Sequence, residues 1–230
     1  MNDLLAKLSA AHFGAFTTRD AYDCGYHRQS LSQLVRSSRA LRVGPSAYVD
    51  RDRYEAASPE RRHEMATRAV VRTFDGRVYA SHYSALTLMS LPVFGAPLDH
   101  IHVARASDSL SRRRPGLSIH SAYGAGAGLL IGRTPSVNPA LAILGAAMTC
   151  GIETGVVAAD AALAAGKTTV DELQTWLRRL SRHRDVTHAR KAVQMADARS
   201  ESVGESRTRF LLNAIGFQPT PQEDVRGGSR

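Results

Sequence analysis

The chain has 230 residues, 43% of them hydrophobic, enough for one large or two modest domains with a real core. A formal net charge of +9 and a sequence pI near 10.1, carried mostly by Arg, favour nucleic acid or another acidic partner over an ordinary acidic-to-neutral enzyme. Cys24 and Cys150 form neither a disulfide framework nor a metal-ligand spacing. The start of the chain carries Asp3 and no signal-like apolar run, and the most apolar stretch, 140–147, is too short for a bilayer; a cytoplasmic protein is expected.

Residues 2–11 read as a helix with Leu4, Leu5 and Leu8 on one stripe, and Phe13 and Phe16 are expected to pack beneath it. Thr17 or Thr18 is an N-cap for a short second helix, because its hydroxyl accepts an orphan backbone N–H. Gly25 suits the turn that follows. A third helix over about 27–37 places Leu31, Leu34 and Val35 inward and Gln29, Ser32, Gln33 and Arg36 outward. Two β-prone runs, 41–43 and 47–49, flank Gly44-Pro45-Ser46 and predict a hairpin. Helix, helix, turn, helix, hairpin is the order of a winged helix-turn-helix, whose recognition helix enters the DNA major groove. The same pattern also suits a protein-docking module.

Ser58-Pro59-Glu60 opens a further helix with Met65, Ala69 and Val70 inward and Arg61, Arg62, Arg68 and Arg72 largely outside. Asp75-Gly76 is a turn. Residues 78–125 read as a small α/β unit: a strand at 78–80, a helix over 82–91, a strand at 100–104, a three-cation turn at 112–116 and a returning strand at 117–120. His100, His102 and His120 raise the question of a metal, but no Cys, Asp or Glu pattern joins them and they read as polar-face strand residues. The Gly-rich stretch 124–132 lacks the Lys-Ser/Thr of a phosphate loop and reads as a plain loop. From Pro139 the chain turns helical, over about 139–149, 153–165, 169–181, 186–198 and 204–215. The tail from Gln218 to Arg230 is expected to be disordered.

The head resembles the N-terminal winged helix of abortive-infection (AbiE-type) antitoxins. The runs 155–163, 169–173, 196–202 and 204–207 are similar to actinobacterial proteins in which such a head precedes an α/β-plus-helical region and a nuclease-like domain related to very-short-patch repair endonucleases. The resemblance implies a regulator that binds promoter DNA, represses its own operon and counters a nucleotidyltransferase-like toxin. It departs at the C-terminus: Glu201 and Glu205 share one helix start, Asp224 lies in a polar tail, and the strand pair that would complete a Mg²⁺ site does not follow. That segment reads as a truncated nuclease-like head. The helix over 140–148 also lacks an Asp that relatives carry, so core packing suffices for it.

The expectation is therefore an α+β chain: a winged helix-turn-helix over 1–55, an α/β then helical antitoxin-like domain over 56–200, and a vestigial nuclease-like helix with a tail over 201–230. Arg28, Gln29, Ser32, Gln33, Arg36, Arg39, Arg42 and Ser46 are the expected DNA-binding residues. Gln pairs with adenine and Arg with guanine, while residues beyond the helix meet phosphate. The partners are double-stranded promoter or operator DNA and a nucleotidyltransferase-like toxin. No catalytic residue, metal, cofactor or membrane partner is expected. The rival readings are a phage or prophage repressor, a protein-interaction module and, last, a residual nuclease.

Overall fold

A computed structural model describes residues 1–183, 185–217 and 219. Arg184, Asp224 and, apart from Pro219, the tail expected to be disordered lie outside the described residues. The chain is mixed α+β and divides into two compact units: Met1–Met89 with Pro97–Asn138, and Ser90–Ala96 with Pro139–Arg230. The expected boundary at residue 55 falls inside the first unit.

The first unit begins with α1 (Asp3–Ala11), β1 (Ala15–Thr17), α2 (Thr18–Asp23), α3 (Arg28–Arg36), β2 (Ala40–Gly44) and β3 (Ala47–Asp50). The three strands form an antiparallel sheet in the order β1-β3-β2. Leu5, Phe16, Ala21, Cys24, Leu31, Leu34, Ala40 and Tyr48 make one buried core, in which the Phe16 and Tyr48 rings stack at 5.5 Å. Asn2 caps α1 by accepting from the Leu5 N–H at 3.0 Å, and its amide donates to the Cys24 carbonyl at 2.8 Å, so one side chain joins the start of α1 to the end of α2. Leu4, expected on the buried stripe, is 65% exposed; Leu5 alone of that pair reaches the core.

Next come α4 (Arg51–Glu55) and α5 (Pro59–Arg72), the latter capped by Ser58 with Pro at its first turn as the sequence predicts. Met65, Ala69 and Val70 are buried, but so is Arg68. That corrects the expectation for Arg68; Arg61 is exposed and Arg62 and Arg72 are half-buried. Arg68 donates to Glu64 at 2.8 Å, to Thr134 Oγ1 at 2.8 Å and to the Ile131 carbonyl at 3.1 Å, and its guanidinium lies 3.9 Å over the Phe13 ring. The Phe13 ring, 36% exposed, therefore packs against an arginine. A buried guanidinium is tolerable here because its donors meet acceptors and a carboxylate balances its charge.

The rest of the unit is a six-stranded mixed sheet in the order β6-β7-β5-β4-β9-β8. It contains β4 (Val78–Ala80), α6 (His82–Leu88), β5 (Ile101–Arg105), β6 (Arg112–Arg114), β7 (Leu117–His120), β8 (Gly128–Ile131) and β9 (Thr134–Val137). Two expectations are corrected. Arg112–Arg114 is an exposed edge strand paired with β7, not a turn; the turn lies at Pro115-Gly116. Charged side chains on an edge strand discourage further pairing. The Gly-rich loop ends in β8, which pairs with β9 in a hairpin and completes the sheet, with Ala80 of β4 opposite Ser136.

The second unit holds α7 (Pro139–Cys150), α8 (Ile152–Ala164), α9 (Val170–Arg179), α10 (Val186–Met195) and α11 (Val203–Ala214). Residues 140–148 of α7 are all buried, consistent with a packing helix. At Gly155 of α8 an added Cβ would fall 2.5 Å from Ala147 Cβ and 2.7 Å from Ala192 Cβ, so only glycine lets α7, α8 and α10 approach this closely. Asp160, buried in α8, pairs with Arg209 of α11 at 2.5 Å and accepts from the Asp197 N–H at 2.7 Å. Ser202 caps α11, and the Glu205 carboxylate accepts from the Ser202 hydroxyl and the Glu201 N–H, each at 3.1 Å. Glu205 thus serves the helix start. No described helix is long and apolar enough to cross a membrane.

Candidate nucleic-acid interface

The α3 helix is seated by Leu31 and Leu34, which are 4% and 6% exposed. Its start is fixed by the Ser30 hydroxyl, which accepts from the His27 N–H at 2.9 Å. Fixing those two residues inward turns Arg28, Gln29, Ser32, Gln33 and Arg36 outward, and all five are exposed. Nine residues at 1.5 Å rise give a rod of roughly 13 Å, a length that a major groove accepts. Gln29 and Gln33 lie one turn apart on one stripe. The Ser32 hydroxyl donates to the Arg28 carbonyl at 2.8 Å, so its proton is committed within the helix.

The wing is the β2–β3 hairpin. Arg42 is exposed, and its Nε donates to the Gly44 carbonyl at 3.2 Å, which holds the side chain against the hairpin. Ser46 is exposed, with φ +59, and its carbonyl accepts from the Thr18 N–H at 3.0 Å. The hairpin turn is thereby tied to the start of α2. Arg39, also exposed, follows α3 with its N–H on the Leu34 carbonyl at 3.1 Å. The structure thus groups five of the eight expected residues on one helix face, one in the turn after it and two on the wing. Residues 24–49 contain four Arg and neither Asp nor Glu, so this surface has no acidic group of its own to repel phosphate.

Two side chains that position this surface are partly legible in sequence. Thr17 caps α2, and the Asp20 carboxylate accepts from the Thr17 N–H and hydroxyl, each at 2.8 Å, in a reciprocal box. The spacing of Thr17 and Asp20 announces that box. Nothing local announces Arg72, which pairs with the same carboxylate from α5.

The histidines are placed differently from the expectation. His102 is not a polar-face residue: it is 5% exposed on β5. His102 Nδ1 lies 2.8 Å from His120 Nε2 of β7. The third member is His82, at the first turn of α6, whose ring stacks on His120 at 3.9 Å and lies 4.8 Å from His102. His100 turns to Ser118 Oγ at 2.9 Å. Burial first, then the neighbouring His120 and His100, push His102 down to about 3, so its ring is neutral at physiological pH.

No curated protein matches the chain. Residues 3–49, the span from α1 to the end of the wing, match the model of a family described as transcriptional regulator, AbiEi antitoxin, and it is to those regulators that the head of this protein is similar.

Proposed function

We propose that this protein is a sequence-specific regulator of the type IV antitoxin kind. It binds double-stranded promoter DNA in the cytoplasm, represses its own operon and counters a nucleotidyltransferase-like toxin. The observation that carries the reading is the exposed, acid-free face of α3, seated on a head similar to AbiEi antitoxin regulators. In this reading Arg28, Gln29, Gln33 and Arg36 approach base edges, and Arg39, Arg42 and Ser46 meet the backbone. Ser32 contributes through its acceptor lone pairs, because its proton is already used.

The division of labour follows. The head over 1–55 reads DNA, and residues 56–230 keep any toxin contact. In this reading the segment from 201 is a vestigial nuclease-like head that packs as a helix, and Glu205, engaged at the α11 start, serves that helix.

A protein-docking reading is favoured by one feature. Leu211 on α11, Ile215 capping its end and Phe217 after it are 54%, 70% and 63% exposed, an apolar surface suited to a partner protein. It complements the DNA reading, since the two surfaces belong to different units.

The test is selection of duplexes bound by the full chain from a random pool, followed by co-expression with a nucleotidyltransferase-like toxin. Enrichment of one motif, with relief of toxicity, is the expected result. Binding without sequence enrichment would remove the regulator reading; an enriched motif without relief would leave a repressor and remove the toxin.

A further inference from the structure

Five of the nine histidines, His63, His82, His100, His102 and His120 among them, gather around α6 and the β5–β7 strand pair. Within this group His82, His102 and His120 each offer a ring nitrogen, and the three nitrogens all lie within 4.8 Å of one another. We propose that these three imidazoles are a binding site for a divalent transition metal of the Zn²⁺ class.

The sheet builds the site. In the parallel β5–β7 register His102 lies opposite Ser118 and Ala104 opposite His120, so His102 and His120 are diagonal neighbours on one face. The α6 helix delivers His82 onto them. His82 has φ +53 while 3% exposed, a left-handed backbone that a buried non-glycine residue holds only when its surroundings impose it. His82 Nδ1 lies 3.1 Å from Ser81 Oγ, the kind of second contact that fixes the ring plane of a ligating histidine.

The donor set is all imidazole, with no carboxylate in it. That selects Zn²⁺, Co²⁺, Ni²⁺ or Cu²⁺ and rejects Mg²⁺ and Ca²⁺, which require oxygen. The 2.8 Å approach of His102 Nδ1 to His120 Nε2 means that one ring donates its proton to the other. For a cation to bind, that proton shifts to the other nitrogen of the donating ring, so both rings ligate as neutral imidazoles and the cation occupies the space between the two facing nitrogens. Ligands at 2.0–2.1 Å in a tetrahedron stand about 3.3 Å apart, so this pair opens by roughly half an ångström. His120 can supply the movement: it is the half-buried member, and swinging its ring also relieves the 21° stacking on His82. Three protein ligands leave a fourth position for water or an added ligand.

The alternative is a metal-free stack of imidazole rings. The two are distinguished by titrating untagged full-length protein with Co²⁺, whose tetrahedral complexes absorb in the visible. The expected result is one Co²⁺ per chain with visible bands, displaced by Zn²⁺ and not by Mg²⁺. X-ray absorption of the Zn²⁺ form then shows at least three imidazoles. His120→Gln is expected to weaken binding by at least roughly tenfold, and His188→Gln, exposed on α10, to leave it unchanged. Absence of visible bands, unweakened binding by His120→Gln, or fewer than three imidazoles would each overturn the site. Should His120→Gln fold poorly, the ligand count on the native chain still decides. None of these readouts involves DNA, so the metal site and the regulator reading stand or fall separately.

Discussion

Arg72 of α5 and Asp20 of α2 meet in a two-point ion pair, Nη2 to Oδ1 at 2.5 Å and Nε to Oδ2 at 3.2 Å, across 52 residues of sequence. Asp20 is also the acid of the Thr17 capping box. A single carboxylate therefore both starts the helix preceding α3 and clamps it to α5.

That clamp gives a pH prediction. Burial by itself raises the Asp20 carboxyl, but the hydrogen bonds from Arg72 and Thr17 more than reverse it, so it lies below the usual carboxylate range. A folded-state value below the unfolded one, about 3.9, gives stability that is present above that pH. It is lost as pH falls through it toward the folded value. Urea unfolding of the native chain and Asp20→Asn should therefore differ most near neutral pH, and the gap should shrink on acidification. A gap constant from pH 7 to pH 3 would contradict the assignment.

Gly14 precedes β1 with φ +90, and a Cβ there would sit 2.6 Å from the terminal methyl of Met65. Gly14→Ala should cost about 1–2 kcal/mol from the left-handed backbone alone. Adding Met65→Ala should not restore it, because it relieves the contact and not the dihedral. Thermal unfolding of the single and double variants measures this.

The buried Arg68–Glu64 pair has side chains only 4% and 7% exposed. Arg68→Met removes the buried one of the two cations that pair with Glu64, leaving it the more exposed Arg61, and should destabilise by at most about 3–5 kcal/mol. The double variant Arg68→Met, Glu64→Leu should recover a large part of the loss, since no uncompensated charge remains buried. Denaturant midpoints of the three proteins check it; a double variant no better than the single one would locate the cost in packing against Phe13.

The head rests on α5 as well as on its own core. Val70 lies 3.3 Å from where a Gly44 Cβ would stand, Met65 covers Gly14, and Arg72 holds Asp20. A fragment of residues 1–55 loses all three contacts, whereas 1–75 keeps them. The longer fragment should melt cooperatively and the shorter one should not, as read by circular dichroism. Equal melts would show that α5 is dispensable to the head.

On α3, Gln33→Ala should lower affinity for a selected duplex by about 1–3 kcal/mol and leave scrambled DNA nearly unaffected. Arg42→Ala should weaken both equally and reduce the salt slope by about one unit. Ser32→Ala should cost less than Gln33→Ala, because the hydroxyl proton is spent on the Arg28 carbonyl and only its acceptor lone pairs are left for DNA. Anisotropy titrations at several salt concentrations separate these outcomes. Equal loss on both duplexes for Gln33→Ala would remove α3 as the sequence reader.

The head was legible because its signals are local. A Thr17 or Thr18 cap, the Leu31 and Leu34 spacing, and Gly44-Pro45-Ser46 between two β-prone runs each act within a few residues, and the structure decides the cap for Thr17 and keeps the other two where the pattern places them. The C-terminal helices were readable for the same reason, from local pattern alone, and the structure adds caps such as Thr169 with Glu172. What the pattern could not reveal depends on partners distant in sequence. Arg68 looks like a surface arginine until Glu64, Thr134 and the Ile131 carbonyl surround it. Gly128–Ile131 looks like loop until β9 supplies its hydrogen bonds. His82 carries no motif at all. It joins His102 and His120 because the parallel pairing of β5 with β7 and the placement of α6 bring the three rings together, a convergence that exists only once the sheet has formed.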